Sequence, residues 1–254
     1  MDKTLCDYLN KYPALCIAVS GGVDSEFLLR FAHRHYRGAL YGVTIDGAMV
    51  SRKEIAHATA LCRDMEIHHT IINVDTDSIA EFKSNSAMRC YFCKHYLFSQ
   101  ILTFAKTKNA AVCEGTQLDD FDDYRPGRKA LNELGILSPL AECGYTKQMV
   151  CDGLVEFGGA TRPSGACLAT RIPYGTPITK QALAQVETAE NALYDLGFDT
   201  FRVRHFGQIA KIDMTEKDMD RAFSMRDAIT RTLSPAGFRF VAIDLVPFRS
   251  GNMN

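Results

Sequence analysis

Two groups of residues in this 254-residue sequence have the types and spacing for chemistry. The first is Ser20-Gly21-Gly22-Val23-Asp24-Ser25. Glycines let an anion approach the backbone N–H groups, and a helix opening here adds the positive end of its dipole. Ser20 and Ser25 offer hydroxyls. Asp24 offers a carboxylate that suits a magnesium-bound water or the fixing of the loop. The pattern Gly-x-x-x-x-Gly-Lys-Ser/Thr is absent, so no loop lysine reaches toward a transferred terminal phosphate. An ordinary glycine turn that caps a helix is the bland reading of the same residues.

The second group is drawn from nine cysteines. Cys90-Tyr91-Phe92-Cys93 is a C-x-x-C pair between Arg89 and Lys94, and neighbouring cations lower thiol pKa values. Taken alone the pair reads as half a zinc site, a redox couple or two buried thiols. His95 is adjacent but off the usual ligand spacing, and His68-His69 suit a strand. Cys167 lies in a stretch rich in glycine and proline, 163–177. Cys16, Cys62 and Cys113 fit strands or a helix as small hydrophobes. Cys6, Cys143 and Cys151 have no chelating neighbour in sequence.

The elements that must hold these groups follow from hydrophobic periodicity. Ala14–Val19 is an apolar run of a buried parallel strand, and Phe27, Leu28, Phe31 and Ala32 give the next segment a helical face. Strands are expected at 39–45, 67–74 and 110–114. Helices are expected from Ser51, with Glu54 completing a capping box, and over 93–106 and 146–157. This alternation predicts an α/β fold, a parallel sheet with helices on both faces and ligands at the strand C-terminal ends. Gly158-Gly159 marks a domain boundary, giving domains 1–159 and 160–254. The second reads as a smaller α+β module: a helix capped by Thr179, a hairpin around Gly207-Gln208, a helix over 216–232 and a strand over 240–246.

Composition excludes several classes. Hydrophobic residues make up 46% and charged residues 23%, which supports a packed core. A net charge of −1 gives no overall basic field toward nucleic acid or membrane. No apolar run nears the roughly 18 residues of a spanning helix, and the acidic start does not read as a signal peptide. A cytoplasmic protein is expected, and in that reducing setting the cysteines point to metal, sulfur or packing roles before disulfides.

The Ser20–Ser25 loop resembles the pyrophosphate loop of the N-type ATP pyrophosphatases, which split ATP into AMP and pyrophosphate to activate a carbonyl or carboxyl oxygen. Further motifs are Arg89-Cys90-Tyr91-Phe92-Cys93-Lys94, Asp123-Tyr124-Arg125-Pro126-Gly127, Cys167-Leu168-Ala169-Thr170-Arg171-Ile172-Pro173-Tyr174-Gly175, Arg202-Val203-Arg204 and Phe248-Arg249-Ser250-Gly251. Together they resemble the LarE family over nearly the whole chain. The resemblance implies an ATP-dependent sulfur transferase that adenylates a carboxylate of pyridinium-3,5-biscarboxylic acid mononucleotide and converts it to a thiocarboxylate, for the nickel-pincer nucleotide. It implies ATP and Mg2+ as cofactors, with Ser20, Gly21, Gly22, Asp24 and Ser25 on the phosphates. Thr170, Arg171, Glu190 and Arg249 would form the substrate site, with a structural ion pair as the bland alternative for Arg171 and Arg249. Thr170 stands where serine is usual.

The family has two sulfur strategies. A cysteine matching Cys167 gives up its own sulfur, or three cysteines matching Cys90, Cys93 and Cys167 hold a 4Fe-4S cluster that relays sulfide. This chain has all three, so the cluster version is expected, with a sulfide source as partner and a homo-oligomeric assembly. Two rivals remain. An ATP-dependent tRNA thiolase usually brings paired C-x-x-C motifs and a basic surface. A nucleotide-binding metal or redox sensor would bind ATP without turnover.

Overall fold

The computed structural model describes residues 3–121, 126–163 and 165–248. Two compact units result: Met1–Ile79 with Cys90–Gly165, and Ala80–Arg89 with Ala166–Asn254. Among the described residues no helix is long and apolar enough to cross a membrane.

In the first unit, β1 (Ala14–Ala18), β2 (Ala39–Asp46), β3 (His68–Asn73) and β4 (Ala111–Cys113) form a parallel sheet in the order β3-β2-β1-β4. The central strand β1 is apolar because it is covered on both faces. Leu15 and Ile17 point into a core with Phe27, Leu28, Phe31, Leu61, Val150 and Leu154. Cys16, between them, points to the other face with Val43, Ile101, Ala105, Val112 and Leu131, as the period of two in a strand requires. The helices around this sheet are α1 (Lys3–Leu9), α2 (Val23–His35) and α3 (Arg52–Asp64). After α4 (Ala80–Lys83), in the second unit, come α5 (Arg89–Thr107), α6 (Gly127–Glu133), α7 (Pro139–Glu142) and α8 (Lys147–Glu156). Caps set two of the starts: Ser51 Oγ accepts from Lys53 N at 3.3 Å, and Thr146 Oγ1 from Met149 N at 3.3 Å.

The second unit is the expected small α+β module. Helix α9 (Lys180–Asp195) is capped by Thr179, whose Oγ1 accepts from Ala182 N at 3.1 Å. Strands β5 (Phe201–Phe206) and β6 (Ile209–Met214) form an antiparallel hairpin that turns at Gly207, φ +64°, and β7 (Phe240–Ile243) adds parallel to β6. Ala189, Leu193, Phe201, Val203, Ile212, Ile229 and Leu233 fill its core.

Three of the expected elements differ from the structure by more than one residue at an end or in continuity. Helix α5 opens at Arg89 rather than Cys93. Buried Arg89 donates to Asn85 Oδ1 and lies 4.3 Å over the Tyr174 ring, partners that local periodicity does not reveal. The expected 216–232 helix is two, α10 (Glu216–Ser224) and α11 (Arg226–Leu233), broken at Met225 (φ −94°, ψ 10°). The apolar spacing of Ala222, Ile229 and Leu233 continues across that break and hides it. Strand β7 stops at Ile243 instead of Val246, because Asp244 Oδ1 accepts from Val246 N at 3.0 Å and turns the chain.

Candidate functional site

The Ser20–Ser25 loop links β1 to α2 at the C-terminal edge of the parallel sheet, where such folds bind ligands. Ser25 Oγ is its hub. It accepts from Ser20 N at 3.2 Å, lies 3.0 Å from Ser20 Oγ and donates to Gly22 O at 3.0 Å. Gly21 sits at φ +83°, and a Cβ there would lie 2.4 Å from Glu54 O. Gly115, after β4, packs so closely that its Cβ would stand 2.8 Å from Ser25 N. Both glycines are therefore required by approach of backbone to backbone. Gly22 holds the N-cap position of α2 with no side chain over the helix end.

Charges arrive from distant sequence. Lys147 Nζ donates to Asp24 Oδ1 at 2.6 Å, and Lys147 N to Asp119 Oδ2 at 2.8 Å. Glu26, 1% exposed, receives Arg30 Nε at 2.9 Å and Arg162 Nη1 at 2.8 Å, with His57 Nε2 at 2.8 Å. Burial alone pushes the Glu26 carboxyl up. The hydrogen bonds from His57, Arg162 and Arg30 outweigh it and hold the carboxyl below its usual value. Arg162 Nη2 also donates to the Gly21 carbonyl. Sequence reading missed this cluster. Its only local signal is the Glu26/Arg30 spacing of four.

Cys90 and Cys93 lie one turn apart at the start of α5, so they share a face. Cys93 is buried and Cys90 half-buried, and both belong to the first unit. Cys167 belongs to the second, exposed at the head of a 3-10 turn over Leu168–Arg171. No cysteine forms a disulfide. Among the described residues, no group of three or more His, Cys, Asp or Glu side chains is placed to hold a metal ion. The donor chemistry does fit iron–sulfur ligation: reduced thiols, two of them at helical spacing.

The turn carrying Cys167 is held from below. Arg171, 2% exposed, pairs with Glu190 through Nε to Oε1 at 2.9 Å and Nη2 to Oε2 at 3.0 Å. Its Nη1 faces Ala166 O at 2.8 Å, Cys167 O at 3.3 Å and Thr170 Oγ1 at 2.9 Å. Thus all three guanidinium nitrogens are engaged, and the structure places Arg171 in the ion pair that the sequence left open. Thr170 Oγ1 donates to Cys167 O at 2.8 Å, and Glu190 Oε1 accepts from Val203 N at 3.0 Å. Arg204 Nη1 donates to Thr170 O at 3.1 Å while its Nε pairs with Asp213 Oδ2 at 2.7 Å. Burial, then the charge of Arg171, holds the Arg202 guanidinium below its ordinary value. Arg249 and the Asp123-Tyr124-Arg125 motif lie outside the described residues.

The chain matches no family model. Over 255 residues it is 32% identical to the pyridinium-3,5-bisthiocarboxylic acid mononucleotide synthase of Lactiplantibacillus plantarum, a match covering 99% of this chain and 92% of that protein. It is 30% identical to an uncharacterized protein of Synechocystis, covering 99% of this chain and 96% of the relative. A third relative, an uncharacterized protein of Methanocaldococcus jannaschii, is 28% identical, covering 94% of this chain and 92% of its own. With that extent of identity beside the loop, the cysteine pair and the Cys167 turn, the chain belongs to the pyridinium-3,5-bisthiocarboxylic acid mononucleotide synthase family, LarE.

Proposed function

We propose that this protein is an ATP-dependent sulfur transferase acting on pyridinium-3,5-biscarboxylic acid mononucleotide. The observation that carries the reading is the end-to-end relation to a synthase named for the bisthiocarboxylic product. In this reading ATP lies on Ser20, Gly21, Gly22, Asp24 and Ser25 in the domain over 1–159, with Mg2+ beside the phosphates and a magnesium-bound water on the Asp24 carboxylate. A substrate carboxylate attacks the α-phosphate, pyrophosphate leaves, and a sulfur nucleophile then displaces AMP. The substrate site is assigned to 160–254. Thr170 and Arg249 meet its phosphate, while Arg171 and Glu190 serve it from behind by fixing the 166–170 turn.

Cys90, Cys93 and Cys167 would hold a 4Fe-4S cluster, which supplies a labile sulfide at an iron without a protein ligand. A second reading rests on Cys167 alone, favoured by its exposure while Cys93 is buried. Its thiolate displaces AMP to form a thioester; loss of the Cα proton and cleavage of the Cβ–S bond leave a thiocarboxylate and dehydroalanine. The protein acts without nucleic acid or membrane, as a homo-oligomer in the cytoplasm.

The test is to supply ATP, magnesium and the pyridinium substrate to anaerobically purified protein and assay AMP, pyrophosphate and thiocarboxylate. Absence of substrate-dependent pyrophosphate would end the proposal. Iron and acid-labile sulfide per chain, with the protein mass after one turnover, separate the two sulfur routes.

A further inference from the structure

We infer that Arg162 is a positioning residue of the phosphate loop: its guanidinium fork fixes the Gly21–Gly22 peptide in the orientation that presents the loop N–H groups to a polyphosphate. The inference rests on the ATP-binding role proposed above and assigns Arg162 no contact with substrate.

The Gly21 carbonyl receives Arg162 Nη2. The other arm of the fork, Nη1, is anchored 2.8 Å away on Glu26 Oε2, a carboxylate 1% exposed. Glu26 is in turn held by Arg30 Nε and His57 Nε2, from α2 and α3. The anchor is thus fixed by two elements of the sheet scaffold and cannot drift with the loop. In a trans peptide the carbonyl and the following N–H point opposite ways, so engaging Gly21 O on one side turns Gly22 N–H to the other. Gly22 N donates to Ser20 Oγ at 3.3 Å, so its N–H faces the hydroxyl side of the loop, where an incoming phosphate oxygen competes with that hydroxyl. Glycine at Gly21 and Gly22 gives the peptide freedom to flip. A bidentate fork that grips both the carbonyl and a fixed carboxylate removes that freedom. Lysine retains the charge but not the fork, which separates positioning from direct attraction of phosphate.

The experiment titrates inorganic pyrophosphate with magnesium into wild-type protein, Arg162→Met and Arg162→Lys by calorimetry, with melting temperature as a fold control. It also measures KM for ATP and kcat of pyrophosphate release. Wild-type binding with about tenfold weaker affinity in both variants supports the inference, the scale expected for a charge-assisted hydrogen bond. Recovery in Arg162→Lys to within about twofold means charge alone matters and overturns it. Unchanged affinity in Arg162→Met also overturns it. Where Arg162→Met fails to fold, Arg162→Gln, which keeps a neutral donor but neither the charge nor the fork, replaces it, and unchanged affinity there overturns the inference. No pyrophosphate or ATP binding by wild type defeats the function reading itself, a distinct result.

Discussion

Replacing Arg171 by methionine isolates what holds the Cys167 turn. The side chain is 2% exposed and Glu190 5%, so the variant leaves a carboxylate buried without its cation, a change that costs about 3–5 kcal/mol. The carbonyls of Ala166 and Cys167 also lose a donor, but those residues are exposed and water replaces it at little cost. Since whole domains are stable by only about 5–15 kcal/mol, the second unit should lose much of its margin. Adding Glu190→Gln removes the stranded charge while an amide oxygen remains for Val203 N, and should recover more than half of the loss, within the roughly 1–3 kcal/mol that an unmet buried group costs. Amide exchange read by mass spectrometry suits this, because β5 peptides report the second unit and β1 peptides serve as the control. The chain has no tryptophan for a fluorescence probe. A loss under about 1 kcal/mol in Arg171→Met would refute the claim that this buried pair is structural. So would a double variant no better than the single one.

Three further outcomes follow from the geometry. Cys167→Ala should abolish thiocarboxylate formation but leave substrate-dependent pyrophosphate release, with stability within about 0.5 kcal/mol because the side chain is exposed; retained thiocarboxylate would remove Cys167 from the sulfur path. Gly21→Ala asks alanine for φ +83° and sets its Cβ 2.4 Å from Glu54 O, a conformation costing about 1–2 kcal/mol before the clash; normal pyrophosphate release in this variant would contradict the loop geometry. The Glu26 carboxyl is held low, so its stabilisation is present above its unfolded pKa of about 4.3 and is lost as pH falls through the lower folded value. Glu26→Gln should therefore melt well below wild type at neutral pH and close to it in acid, and an equal gap at both would refute the assignment.

Legibility followed the range of the interactions. Strands β1, β2 and β4 were readable because each is a short, mostly apolar run that ends in turn residues, and the Ser51 and Thr179 caps because capping is local. Helix α5 was misread at its start because Arg89 is held by Asn85, whose side-chain amide reaches Pro173 O at 2.8 Å and Thr176 O at 2.9 Å. No periodicity in 85–93 encodes partners nearly ninety residues away. The glycine loop announced itself, since the conformations it needs demand glycine. The charges around it did not: Lys147 meets Asp24 across 123 positions and Arg162 meets Glu26 across 136. Ion pairs of that separation are products of the fold and leave no spacing to find.

How deeply each cysteine is buried bears on the proposed sulfur step. Burial raises a thiol's pKa, as it does at Cys62, pushed up to about 11, and at Cys16, pushed up to about 12. Such thiols are poor nucleophiles and serve as packing, which agrees with their places in the two cores. Cys167, by contrast, has an exposed side chain, on a turn whose carbonyls are gripped by Arg171 and whose next residues Leu168 and Ala169 are buried. A sulfur that must reach an acyl adenylate needs a solvent-open side chain on a fixed backbone, because a mobile donor loses the benefit of orientation. A thiol that ligates a labile group needs the same combination. The Arg171–Glu190 pair therefore serves either sulfur route. Its loss should lower the proposed sulfur transfer while leaving in place the adenylation proposed for the first unit.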